Sequence, residues 1–383
     1  EALGKNTTAD NNTAVGLQSL FDNTTGACNT AVGREALANN TTSDNNTAFG
    51  FKALFTQVAD GARNTAIGLC ALHGNTTGDD NVAVGYGAGD GNTTGSNNIS
   101  MGSGALDANS TGSHNVAIGN LALNDNTTAN SNVAIGAETL DVNTTGADNT
   151  AVGTNALGSN TTAANNVAIG SSALTANTTG TCNVAIGVNS LDANTTADSN
   201  TAVGHNALST VVTGTQNTAV GRGSLANATS GCNTAVGYNA LVSLSSGHSN
   251  VAVGDLALDA ATQGHYNVGI GESALTTLTT GGENVAVGRE ALRDSTSGDS
   301  NTAVGRGSLA AATNGDLNTS IGASSGENVS SGDKNVFVGF ESGAQGGMIN
   351  ITSEDNRFVA GHSTITNAYV KVDWTVTSDA RDK

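Results

Sequence analysis

Asparagine is the side chain with the most regular spacing in this 383-residue sequence, and its amide carries both a hydrogen-bond donor and an acceptor. An Asn stands at twenty positions from Asn12 to Asn335, and a Gly follows each one four residues later without exception. The step is seventeen residues, apart from one of eighteen (Asn46 to Asn64) and one of sixteen (Asn217 to Asn233). Stacked at that period, Asn115, Asn132, Asn149, Asn166, Asn183 and their equivalents would lie above one another and could join in a continuous amide ladder. The plainer reading makes each an ordinary turn residue. Turn chemistry alone would admit Asp, Ser or Gly in some of the copies.

The other chemistry-bearing side chains lack this order. His73, His114, His205, His248, His265 and His362 do not share one column, which leaves a metal or catalytic cluster unsupported, and no cofactor is expected. Cys28, Cys182 and Cys232 each precede a repeat Asn, whereas Cys70 follows a strand. Cys182 and Cys232 are separated by three coils, about 14 Å at the strand spacing, which is beyond disulfide reach. The cysteines therefore read as small apolar fillers. Glycan cleavage would need paired carboxylates across a groove, but the 32 acidic residues are scattered over turns and no aromatic platform recurs. Against 13 basic residues they give a net charge of −19, which disfavours binding to nucleic acid or anionic lipid. No stretch approaches the length of a transmembrane helix, so no membrane insertion is expected.

The positioning elements follow from one copy, Asn115–Ser131, NVAIGNLALNDNTTANS. Position two is Thr in ten copies and Val or Ile in ten, position four is always Val, Ile, Met or Phe, and position three is Ala, Ser or Gly in all but one, Phe337. That alternation is the period of a strand, too short to nucleate a helix. The Gly at position five ends it. A small residue and a Leu follow, with Leu at position nine in seventeen copies and Gly89, Gly326 or Gly343 in the others. The commonest remainder is NTTG or NTTA, made of turn residues. One copy thus reads as strand, bend, short strand and turn, with positions four and nine facing into the coil; the reverse facing is the alternative.

One coil buries too little to stand alone, and stacking resolves this. With 51 Gly, no Pro and 3% aromatic residues, a conventional core is excluded. The fold expected is all-β, a parallel β-solenoid (β-roll) of about twenty 17-residue coils, a rod on the order of 100 Å long at about 4.8 Å per coil. Three regions are expected: the solenoid at 1–343, a β-rich cap or neck at 344–377 containing Trp374, and a short terminal segment at 378–383. Glu1-Ala2-Leu3 matches Glu35-Ala36-Leu37, so the chain is expected to begin inside a repeat. The NTT turn is regular from Asn23 to Asn194 and then varies, which makes the surface of the two halves different. Its Asn-x-Thr triplets also match glycosylation acceptors, though turn chemistry explains them with fewer assumptions.

The NTAVG/NVAIG element with its small-Leu sequel resembles the head repeats of trimeric autotransporter adhesins, although the copies here are longer and carry the NTTG insertion. That resemblance implies a left-handed roll and a homotrimer in which the small third-position faces pack together. Ser378-Asp379-Ala380-Arg381-Asp382-Lys383 resembles the start of the self-cleaving intramolecular chaperone domain of phage tail spikes and fibres, and ITNAYVKVDWTVT before it is similar to the lead-in of cyanophage tail fibres. This second resemblance implies that Ser378 is the nucleophile and Lys383 its base, with the cut just before Ser378. A Ser hydroxyl needs a base, and a Lys serves only when burial lowers its pKa. A six-residue tail cannot bury it, so the dyad is expected to be inert here and the chain not otherwise an enzyme.

The function expected is therefore the shaft and distal part of a phage tail fibre, extracellular on the virion. It would be a homotrimer whose partner is a host cell-surface receptor, expected to be a glycan. A bacterial trimeric surface adhesin is the alternative, with a glycan-depolymerising tail spike behind it. Ice binding would need Thr where half the copies carry Val or Ile.

Overall fold

The computed structural model describes residues 1–347 and 349–367. Twenty-one strands of three residues each run from β1 (Thr13–Val15) through β7 (Val116–Ile118), β8 (Val133–Ile135) and β20 (Val336–Val338) to β21 (Phe358–Ala360), with no helix among the described residues. Each strand pairs in parallel with the next, in register, so that Val116, Ala117 and Ile118 lie beside Val133, Ala134 and Ile135. The chain is a parallel β-solenoid in which identical columns stack. Beyond β20 the step lengthens to twenty-two residues, yet Phe358 still pairs with Val336 and Ala360 with Val338.

The strands face the reverse way from the first reading. The third position points inward: Ala31, Ala117, Ala134 and Ala252 are fully buried, as is the Leu of position nine in Leu37, Leu123 and Leu258. Positions two and four point outward. The reason is the width of the coil. At the third-position Gly269, an added Cβ would already lie 3.2 Å from Leu258 Cδ1 and 3.3 Å from its Cγ, so the space between strand and opposite wall admits about one methyl group. Phe337, the one large third-position residue, fits because the facing leucines are absent: a Cβ on Gly326 would lie 2.9 Å from Phe337 Cδ2, and one on Gly343 would collide with the same ring.

The small-Leu element is not a second strand. Positions seven and nine adopt left-handed backbone, as in Glu35 (φ 60°), Leu37 (φ 51°), Glu138 (φ 55°) and Leu140 (φ 52°). A bulky residue there costs on the order of 1 kcal/mol, but burying a Leu side chain returns about 1.5–3 kcal/mol. The twist also aims alternate amides at both neighbouring coils: Glu35 N–H donates to Leu17 O at 2.9 Å and Leu37 N–H to Ala53 O at 2.9 Å. Gly119 (φ 140°) makes the preceding bend, and a Cβ on it would strike the main-chain carbonyl of Gly136 in the next coil.

Candidate functional site

The structure places Asn115, Asn132, Asn149, Asn166 and Asn183 fully buried at the start of their strands. Their rungs run through the main chain rather than from amide to amide. Asn115 Oδ1 accepts the N–H of Asn132 at 3.0 Å, and Asn115 Nδ2 donates to Ala129 O at 2.9 Å. The same pair of bonds recurs at Asn132, Asn149, Asn166 and Asn183. Each side chain thereby satisfies one main-chain donor that would otherwise be buried unpaired, and gives a second donor to a carbonyl that the turn asparagine also reaches, as Asn126 Nδ2 reaches Ala129 O at 3.2 Å. Direct amide–amide contacts join this column only from Asn233 onward, as in Asn250 Nδ2 to Asn233 Oδ1 at 3.2 Å.

A second ladder lies in the turn. The Asn of NTTG is as buried as the first: Asn92 donates to Asn75 Oδ1 at 2.8 Å, Asn109 to Asn92 at 2.7 Å, and Asn126 to Asn109 at 2.8 Å. Each also donates to the residue three ahead, as Asn109 does to Gly112 O at 2.9 Å. These asparagines are core residues with no room for a sugar. The signal for this ladder was their regular recurrence up to Asn194, which the turn reading absorbed. After Asn194 the column becomes apolar apart from Ser295, with Val211, Ala228, Leu244 and Leu278 all buried, so the two halves differ in core as well as in surface. Where the ladder stops, an acceptor is stranded: Asn194 Oδ1 is buried without a partner below Val211, and so is Asn40 Oδ1 before Gln57. Gln57 stands at the eighteen-residue step, and its longer side chain reaches Gly61 O, four residues ahead instead of three.

The outward face carries a continuous apolar stripe. Fourteen position-four side chains, among them Val15, Phe49, Ile135, Ile169 and Val338, are 36–56% exposed. At about 4.8 Å per coil and about 7 Å between positions two and four along a strand, the face that carries it covers on the order of 700 Å², with position four apolar throughout and Thr at position two in ten coils. A standard interface takes about 800 Å² from each partner.

His248 and His265 do share a column. Their rings stack at 5.6 Å, and Tyr266 meets both edge-on at 5.1 and 5.5 Å. Among the described residues no three His, Cys, Asp or Glu side chains converge on a point that could hold a metal. Cys28, Cys182 and Cys232 are exposed and Cys70 half-buried, all four free, so they do not fill the core. The first three occupy a left-handed corner (Cys28 φ 58°, Cys182 φ 58°, Cys232 φ 63°) that turns the side chain to solvent. Ser378, Lys383 and Trp374 lie outside the described residues. No protein-family model matches the chain, and a search of curated proteins returns no relative.

Proposed function

We propose that this chain forms the shaft and distal part of a phage tail fibre, a homotrimeric rod that attaches to a glycan on a host surface. The observation that carries the reading is the outward apolar stripe, unbroken along the stack and too long for a solitary soluble rod to leave in water. Self-association along it buries the apolar residues of positions two and four while leaving the turns free for a receptor. The basis for association is thus an apolar face and not a small-residue face, because the alanines are used inside the coil. The Ser378–Lys383 segment supplies the phage assignment through its resemblance to the chaperone start, with Ser378 as nucleophile and Lys383 as base once a downstream domain buries the Lys. Light scattering on the chain at micromolar concentration tests the assembly. Three times the chain mass is expected, and a monomer would overturn the reading.

A further inference from the structure

Position seven carries a side chain in sixteen of the twenty coils, and Gly87 and Gly104 are the one place where two consecutive coils lack it. Both glycines keep the left-handed backbone of the column, at φ 60° and 62°. The missing side chains open a notch of about 280 Å³ between Cys70 on one side and Leu121 on the other. A Cβ on Gly87 would meet nothing nearer than Asp107 Oδ1 at 4.0 Å, so its floor is open space. Tyr86, 65% exposed, lines the notch in a chain with only 3% aromatic residues. Asp90 and Asp107 lie at position ten of adjacent coils, and Asn124 is fixed by its own donation to Gly104 O at 3.0 Å. Asp90 is in turn held by His73 Nδ1 at 3.3 Å.

We infer that this notch is a saccharide site that holds one uncharged sugar residue against Tyr86, with Asp90 and Asp107 accepting hydrogen bonds from its hydroxyls. An exposed aromatic face beside a few fixed polar groups is the make-up of a small-ligand site. The apolar C–H face of a sugar suits the ring, and its hydroxyls suit two carboxylates. Burial, and then the neighbouring Asp90 and Asp125 carboxylates, push the Asp107 carboxyl upward, so it gains from any donor brought to it. The same two carboxylates repel sialylated or sulfated sugars, as does the net charge of −19. The biological setting of this site rests on the surface-attachment reading, and the inference names the ligand class for it.

The column itself supplies the test. Asn155, Asn189, Asn206 and Asn239 occupy position seven at φ 57°, 53°, 55° and 50°, so Gly87→Asn and Gly104→Asn fill the notch at a backbone angle that the column already holds with Asn, freely at Gly87 and, at Gly104, with Leu121 Cδ2, 3.0 Å from the new Cβ, giving way. The full chain, these two variants, Tyr86→Ala and Tyr86→Phe are applied to a microarray of neutral, sialylated and sulfated glycans and to a panel of bacterial cells, with circular dichroism as a check on folding. Neutral glycans are expected to bind, with at least a tenfold loss in Gly87→Asn and Tyr86→Ala and less than a threefold change in Tyr86→Phe. No neutral binding by the wild type, a preference for acidic glycans, or equal binding by folded Gly87→Asn overturns the site. Cell attachment that survives Gly87→Asn overturns the notch and spares the attachment reading. Neutral-glycan binding lost in Gly87→Asn, without attachment to any cell, upholds the notch and overturns that reading.

Discussion

Asn132→Ala isolates what one rung of the first ladder contributes. Asn132 Oδ1 accepts the Asn149 N–H at 3.0 Å and Asn132 Nδ2 donates to Gly146 O at 2.9 Å, while its own N–H keeps Asn115 Oδ1 at 3.0 Å. Truncation therefore strands one main-chain donor, the Asn149 N–H, where the side chain was fully buried, while Gly146 O keeps Asn143 Nδ2 at 2.9 Å. A buried orphan costs about 1–3 kcal/mol, and that is the cost expected of the rung. In a repeat stack that cost stays local, because each coil contacts only its neighbours. Native-state hydrogen exchange reads local opening, and at 1.4 kcal/mol per tenfold the amides of Asn149 and Val133 should exchange at least about fivefold faster. The control is Val133→Thr, since Thr occupies that outward position in ten copies, and it should cost less than about 0.5 kcal/mol. Exchange at Asn149 within about threefold of wild type, or an equal cost for Val133→Thr, would refute the argument that the buried amides hold the coils together.

Gly119→Ala places a Cβ against the Gly136 carbonyl at a backbone angle that L side chains rarely adopt, and should cost more than about 3 kcal/mol by thermal melting. Ile135→Lys combined with Ile169→Lys puts charge on the outward stripe, and light scattering should then report monomer with an unchanged circular dichroism spectrum. The Asp141 carboxyl is pushed above its ordinary value of 3.8 by burial, and then by Asp125 and Glu138. Since the folded state holds this proton more tightly than the unfolded one, the carboxyl destabilises at neutral pH, and the penalty fades as pH falls through the raised folded value. Asp141→Asn should therefore raise the melting temperature at pH 7 by an amount worth under about 1 kcal/mol, and match the wild type near pH 3.5. In a gene extended past Lys383 by its natural sequence, a fragment cut between Thr377 and Ser378 is expected, and Ser378→Ala should leave the chain whole; equal cleavage in both would remove the proposed dyad.

The period, the place of each strand and the parallel register were all legible in the chain, because a column with no exception in twenty copies admits only stacking of like on like. That the opening asparagines stack in one column was legible for the same reason, but the amide-to-amide contacts expected from Asn115 to Asn183 give way there to bonds with the main chain. Which face turns inward was not. A three-residue alternation reads the same from either side, and a flip exchanges core for surface without altering the pattern. The decision lay with the opposite wall, where a left-handed turn projects Leu258 and its equivalents so far across the coil that only a methyl group fits against them. The second ladder was hidden because Asn is equally at home in a turn and in a core. Its burial depends on how tightly the turn closes over it, and the stranded Asn194 carbonyl marks where the core changes to apolar fill. Phe337 with Gly326 and Gly343 shows the same division: three anomalies in two columns of the sequence become one packing solution only once the coils are stacked, because volume is conserved across the coil and not along the chain.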